Sequence, residues 1–374
     1  MAAQISHVLA GEAALRSALP EEAETVLDAA GPAFRLGCQG PDIFYHNQRS
    51  KPSGLHYGAL AHRRNYGRLM AGAVASLPPA RLAPSTGAAA YLLGLATHAA
   101  LDRATHPFIV CFAGWSDPGL PGSERFRSCH PFLERLLDAG LLAAERGLAP
   151  SGYDLGGLLA PEPKDAEEAV EAAALDEELV AVWAAALRTA FPRSAGGDFL
   201  LERRVANALA DGRYFFAVTN PAVTALNEER EDWFAYLDDR EGARSVALVY
   251  PDSLPPGLDV MNLSREEWPH PSGDGRVSRA SYLDLVAEGS SAAAMAILAL
   301  RARMDGALGD AGLEEAIGNG GLSVCDPAGA PAPPRVSRPL PLAGVMETEY
   351  RRRLDWARER LSRRPGARAA TGDH

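Results

Sequence analysis

The sequence predicts an all-α, multi-helix protein with a metal-binding site in its first third. Alternating apolar and polar positions, the mark of strands, are scarce, whereas apolar residues recur three and four apart through several long segments. Seven of the nine histidines, His7, His46, His56, His62, His98, His106 and His130, fall within the first 130 residues. With 47% apolar and 23% charged residues over 374 positions, the chain has the composition of a folded protein with a sizeable core.

Ile5, Val8, Leu9 and Leu15 space a first helix. A second is predicted over residues 86–105. A third is predicted over 131–140, where proline in the first turn and glycine at the end are the usual punctuation. Residues 165–190 and 199–216 read as two more long helices, and 347–361 as a charged helix near the end. Gly- and Pro-rich stretches between the early helices read as loops, PSGYDLGGLLAPEP as a boundary or long surface loop, and 312–338 as irregular. The expected organisation is one predominantly helical domain over 1–310, followed by a C-terminal extension, 311–374, with one helix and a disordered tail. NPAVTALNEEREDWFAYL and YPDSLPPGLDVMNLSREEW carry no chemistry of their own and read as capping elements. The second half as a whole is expected to support the site and supply one of its walls.

A formal charge of −11 argues against a long nucleic acid as partner, because that binding needs a basic surface to release counterions. A small phosphate-bearing substrate is not excluded. The opening residues lack a basic leader and an apolar core, so the expected location is cytoplasmic. The most apolar runs, 88–100 and 291–300, fall short of eighteen residues, so no transmembrane segment is expected. Cys38, Cys111, Cys129 and Cys325 form no CxxC pair, which leaves neither a thiolate zinc knuckle nor a redox motif. Nothing in the sequence sets the oligomeric state.

His98, Asp102 and His106, in THAALDRATHP, stand four apart and share one helix face, since four residues leave only about 40° of rotation. The helical rise separates the two histidine backbones by about 12 Å, so their imidazoles are not expected to converge on one ion. Two ions with Asp102 touching or bridging both is the simplest arrangement. His130 and Glu134, in CHPFLE, repeat the spacing, and His106 would complete a His, His, Glu set. Such nitrogen and oxygen donors suit zinc, which at catalytic sites keeps a position for water. Pro107 and Pro131 each follow a histidine and are expected to hold the preceding backbone extended at a helix edge. GPDIFYHNQRSKPSGLHYGALAHRRNYG adds Asp42, His46, His56 and His62 in a loop-like stretch. Taken singly, His46 and His62 read as ordinary core or surface residues.

The stretches ISHVLAG, GCQGPDIFYHNQR, GLHYG, THAALDRATHPF and CHPFLE resemble the zinc-dependent phospholipase C family, bacterial helical trimetal phosphoesterases that share their fold with the zinc single-strand nucleases. The likeness spans residues 1–150 or so. It implies a phospholipase C/nuclease-like helical fold, with Asp42, His56, His98 and Asp102 around one zinc ion and His106, His130 and Glu134 around a second. It also implies a third zinc held by an early histidine, matched here by His7, with a shared aspartate and the amino group and carbonyl of an N-terminal tryptophan. This chain starts with Met and Ala instead, so two zinc ions are expected and the third is left open. His7 is expected to reach Asp102 if the first helix packs on the second through Val8 and Leu9.

A cluster of this kind suits phosphoester hydrolysis, in which paired ions compensate charge on the phosphoryl oxygens and lower the pKa of water. Asp42 is the candidate for orienting or deprotonating that water. Arg49, Lys51, Arg63 and Arg64 are candidates to receive phosphate, since guanidinium groups match its oxygens bidentately. Phe44, Tyr45, Tyr57 and Phe108 are candidates for an apolar groove. The expected activity is a phospholipase C-like zinc phosphodiesterase acting on a small phosphoester or a phospholipid. The alternatives are a phosphatase or nuclease acting on nucleotides or short single strands, and a non-catalytic metal-stabilised scaffold or binding module.

Overall fold

The computed structural model describes residues 3–224, 246–251 and 253–363. Residues 225–237 of NPAVTALNEEREDWFAYL, the first two residues and the C-terminal tail lie outside that description. Among the described residues the early helices are α1 (Gln4–Ala18), α2 (Ala23–Cys38), α3 (Leu55–Arg63), α4 (Tyr66–Ala75), α5 (Gly87–Ala113) and α6 (Cys129–Arg146). They are followed by α7 (Leu155–Leu159), α8 (Ala166–Ala190), α9 (Pro192–Ala195), α10 (Leu201–Val218) and α11 (Pro221–Thr224). The chain then forms a two-stranded antiparallel ribbon, β1 (Trp268–Pro269) with β2 (Val277–Ser278), and ends with α12 (Tyr282–Met304), α13 (Asp310–Ile317) and α14 (Leu342–Arg363). The architecture is all-α.

Helix α5 is the axis of the fold and is buried on nearly every side. It packs against α2 on one flank and α12 on another, while α1 lies across both α5 and α12. Glycines make the α2–α5 crossing possible. A Cβ on Gly94 would stand 2.0 Å from the Phe34 carbonyl oxygen, and one on Gly37 would stand 2.1 Å from that of Tyr91. The backbones therefore meet with no side chain between them.

Several helix ends follow from local chemistry. Thr86 caps α5 by accepting from the Ala89 amide, and Asp165 caps α8 by accepting from Glu168. Ser281 and Asp284 form a reciprocal capping box on α12. Helix α1 has no cap of its own. Asp138 of α6 supplies one across the fold, accepting from the Ile5 and Ser6 amides at 3.0 and 2.7 Å.

Two predicted helix ends are corrected. The helix expected to stop near Thr105 runs through Pro107 to Ala113, and α6 already begins at Cys129, so His106 and His130 are both helical rather than extended. An interior proline costs about 3 kcal/mol, but Phe108, Ile109, Cys111 and Phe112 are all buried beyond it. Burying each such side chain contributes about 1.5–3 kcal/mol, which outweighs the proline. The helix expected to stop at Gly140 likewise continues to Arg146, because Gly140 is a packing position. A Cβ there would meet the Met261 sulfur at 2.4 Å.

Stretches expected as loops hold α2, α3 and α4; α2 accommodates its GPAF sequence by a kink at Ala30, just before Pro32. Helix α12 was foreshadowed only as a short alanine-rich run. By length and composition it could cross a membrane, with a mean hydropathy of 1.5 over eighteen residues. In this fold its apolar character is used against α5 and α1, where Gly289 abuts Leu101. Residues 311–363 carry α14 and nearly all of α13, and Leu313, Ile317, Leu322, Leu342 and Met346 join the same hydrophobic core as α5.

Candidate metal centre

Among the described residues, three groups of donors converge where α1, α3, α5, α6 and the turn after α2 meet. They are His7, His98 and Asp102; Asp42, His62 and His98; and His106, His130 and Glu134, each set within 4.8 Å of one another. Helix α5 supplies His98, Asp102 and His106 from one face. Asp42 arrives on the short 3-10 turn Gly40–Phe44, which can lie against α5 because Gly40 has a φ of +57° and a Cβ there would strike the His98 ring.

Main-chain carbonyls orient three of the imidazoles. His98 Nδ1 faces the Cys38 carbonyl at 3.1 Å, His62 Nδ1 faces that of Gly58 at 2.8 Å, and His106 Nδ1 faces that of Leu322 at 3.0 Å. A carbonyl only accepts, so each Nδ1 donates its hydrogen and it is Nε2 that each ring turns inward as the ligand atom. This is the arrangement that fixes tautomer and direction in metal-binding histidines.

The carboxylates stand among those nitrogens. Asp102 Oδ2 lies 3.1 Å from His98 Nε2 and 3.6 Å from His62 Nε2, while Oδ1 lies 3.2 Å from His7 Nε2 and 3.5 Å from His106 Nδ1. His62 Nε2 lies 3.0 Å from Asp42 Oδ1, and His130 Nε2 lies 3.0 Å from Glu134 Oε1. Burial alone would push these carboxyls up. The nearby histidines, His106 and His98 first, hold Asp102 well below the usual carboxylate range, and His62 and His98 help do the same for Asp42. Glu134 is lowered as well, against its burial, chiefly by His130. Burial opposes charge on His98 too, yet Asp102 raises it overall, whereas for His106 burial prevails and lowers it.

The donor set fits a divalent cation. His7 Nδ1, His98 Nε2, Asp102 Oδ2 and Glu134 Oε2 are buried without a hydrogen-bond partner among the described residues, and such groups ordinarily cost about 1–3 kcal/mol each. With Nδ1 protonated, the His98 and Asp102 lone pairs face each other at 3.1 Å, a repulsion relieved only by a proton or a cation between them.

The centre opens on one side. A cleft of about 810 Å³ reaches His62 and His130 and is walled by Tyr45, Trp115, Phe126, Arg63, Arg127 and parts of the segment after α13, Ser323 with Val324 and Pro331 to Pro334. His62 and His130 keep 11% and 30% of their side-chain surface exposed, whereas His98 is fully enclosed.

The fold thus brings together His7, Asp42, His98, Asp102, His106, His130 and Glu134. It leaves out His56, which is exposed and lies against the Tyr57 ring at 3.9 Å. His62 stands in its place, a correction that helix geometry explains. Six residues on α3 turn the side chain by about 240°, so the two histidines cannot share a face. Tyr57, Gly58 and Ala61 mark the buried face of α3, and His62 is one turn beyond Gly58.

The substrate-binding candidates are corrected in part. Of the four basic candidates only Arg63 lines the cleft, and of the aromatic ones Tyr45 does, whereas Phe108 packs in the core against Phe112 and Trp268. Arg49 stacks on Tyr214 at 3.5 Å, and Lys51 and Arg64 are exposed elsewhere. Phe44 packs against Trp183 and Tyr57 in the core, where the Tyr57 hydroxyl donates to Asp198, because their ring faces are needed between α3, α8 and α10. Arg127, Trp115 and Phe126 sit in the connection between α5 and α6, where spacing gives no signal. Compared with known proteins, the chain matches no family model, no curated protein and no solved structure.

Proposed function

We propose that this protein is a zinc-dependent hydrolase of phosphoester or phosphodiester bonds, related to the zinc-dependent phospholipases C. The observation that carries the reading is the pairing of donor sets at the floor of a cleft that also presents Arg63 and Arg127. Bound zinc would supply charge compensation for the phosphoryl oxygens and acidify water.

The chain's own residues divide the remaining work. His62, His98 and His106 direct lone pairs inward from rings fixed by carbonyls, while Asp42, Asp102 and Glu134 balance the positive charge. The Asp42 carboxylate, buried against the cleft-lining His62, orients the attacking water. Arg63 and Arg127 receive the phosphate oxygens. Tyr45, Trp115 and Phe126 exclude water and flank the rest of the substrate. These three rings also suit base stacking, which supports nucleotides or short single strands as a second substrate class. A wholly enclosed structural site is disfavoured by the exposure of His62 and His130.

The test is a panel of phosphocholine diesters, nucleotides and simple monoesters, assayed on chain carrying at least two zinc ions by elemental analysis. Cleavage of a phosphoester that stops on chelation and returns with zinc is expected. Inertness of the loaded chain across the whole panel would sink the proposal.

A further inference from the structure

Arg103 follows Asp102 on α5 and points away from the donors, about 100° around the helix. Its guanidinium clamps the turn after α13. Nη1 donates to the Ile317 carbonyl at 2.7 Å, Nη2 to those of Gly318 and Gly320 at 3.2 and 3.4 Å, and Nε to that of Gly321 at 3.3 Å. The same turn caps α4, where the Gly67 amide donates to the Gly318 carbonyl and the Arg68 amide to Asn319 Oδ1.

The next residue, Leu322, touches two donors of the metal centre through its main chain. Its carbonyl accepts from His106 Nδ1 at 3.0 Å, and its amide donates to the His62 carbonyl at 2.8 Å. We propose that Arg103 is a positioning residue of the metal centre, acting through Leu322 to set the His106 ring. The inference rests on the metal-binding reading above and is independent of the substrate. Only a planar fork of five N–H groups can span these carbonyls; a lysine ammonium offers three donors from a single point. If Arg103 merely secured the end of α13, its loss would lower stability and weaken every donor set alike.

Zinc affinity is to be measured by competition with a chromophoric chelator in wild type, Arg103→Gln, Glu134→Gln and the double variant. Arg103→Gln should weaken binding about tenfold or more where Glu134 is present, as loss of a group that orients a ligand does. In the Glu134→Gln background, which lacks the complete His106 set, the same change should cost less than about threefold. Arg103→Lys should recover part of the loss. Equal losses in both backgrounds, or none, overturn the proposal. If Arg103→Gln does not fold, Asn319→Ala loosens the same turn from the α4 side and enters the same cycle, with the same criterion at smaller amplitude. Wild-type chain that takes up no zinc at all overturns the metal-binding reading as well, which separates that failure from a failure of the clamp.

Discussion

Burial between the rings of Phe215 and Phe216 keeps His46 uncharged. The first ring stacks on it at 3.8 Å, and desolvation pushes its pKa down from 6.5 to about 3. An unfolded chain takes up this proton near pH 6.5 and the folded chain does not, so the stability involved is intact above 6.5 and is lost as pH falls toward 3. At about pH 4.5 the loss amounts to about 2–3 kcal/mol. His46→Phe should remove that share of the acid sensitivity, read as a smaller difference between denaturation midpoints at neutral and acid pH. Equal acid sensitivity in the two proteins would contradict the assignment. On α3, His62→Ala should lower bound zinc measurably in elemental analysis. His56→Ala should leave the metal content unchanged and alter stability by no more than about 0.5 kcal/mol, as exposed positions usually do. The opposite ranking would return the ligand to His56.

At the scale of elements, the α2–α5 crossing does two things at once. It packs the core around Gly37 and Gly94, and it delivers the Cys38 carbonyl to His98 Nδ1. Gly94→Ala places a methyl against the Phe34 carbonyl, and the helices must part to admit it. The expected destabilisation is about 3 kcal/mol or more, at the upper end for overpacking, measured by urea denaturation. Zinc affinity should fall in the same variant because the carbonyl that orients His98 retreats. Gly147→Ala is the comparison: that φ of +64° has nothing within 4 Å, so only backbone strain of about 1–2 kcal/mol is expected there, with zinc affinity unaffected. Similar metal affinities in the two variants would show that the crossing serves packing alone.

For the whole molecule, donors from α1, the turn after α2, α3, α5 and α6 lie far apart in the unfolded chain and close only when the chain folds. Metal bound to such a site stabilises the fold by mass action, by about 4 kcal/mol at a thousandfold excess over Kd. For a chain of this length that corresponds to a Tm about 5 °C lower after chelation. A melting curve unchanged after verified metal removal would mean that the core alone sustains the arrangement. Core residues between Leu313 and Met346 share one hydrophobic core with α5, and Ser323, Val324 and Pro331 to Pro334 form part of the cleft wall.

Local spacing was enough to read the helical class, because a period near 3.6 is a property of neighbouring residues. It was also enough to pair His98 with Asp102 and His130 with Glu134, since four residues on a helix fix a shared face before any packing occurs. The choice of His62 over His56 needed the buried face of α3, which depends on what α3 packs against. The passage of α5 through Pro107 needed the core that buries Phe108 and Phe112. Arg127, Trp115 and the Leu322 carbonyl come beside the donors only when a loop after α5 and a turn after α13 are laid against them. Sequence alone determined which residues could bind metal, because ligand chemistry belongs to the side chain. Tertiary structure decided which of them meet, because convergence depends on contacts between segments up to some two hundred residues apart, such as Leu322 and His106, 216 positions distant.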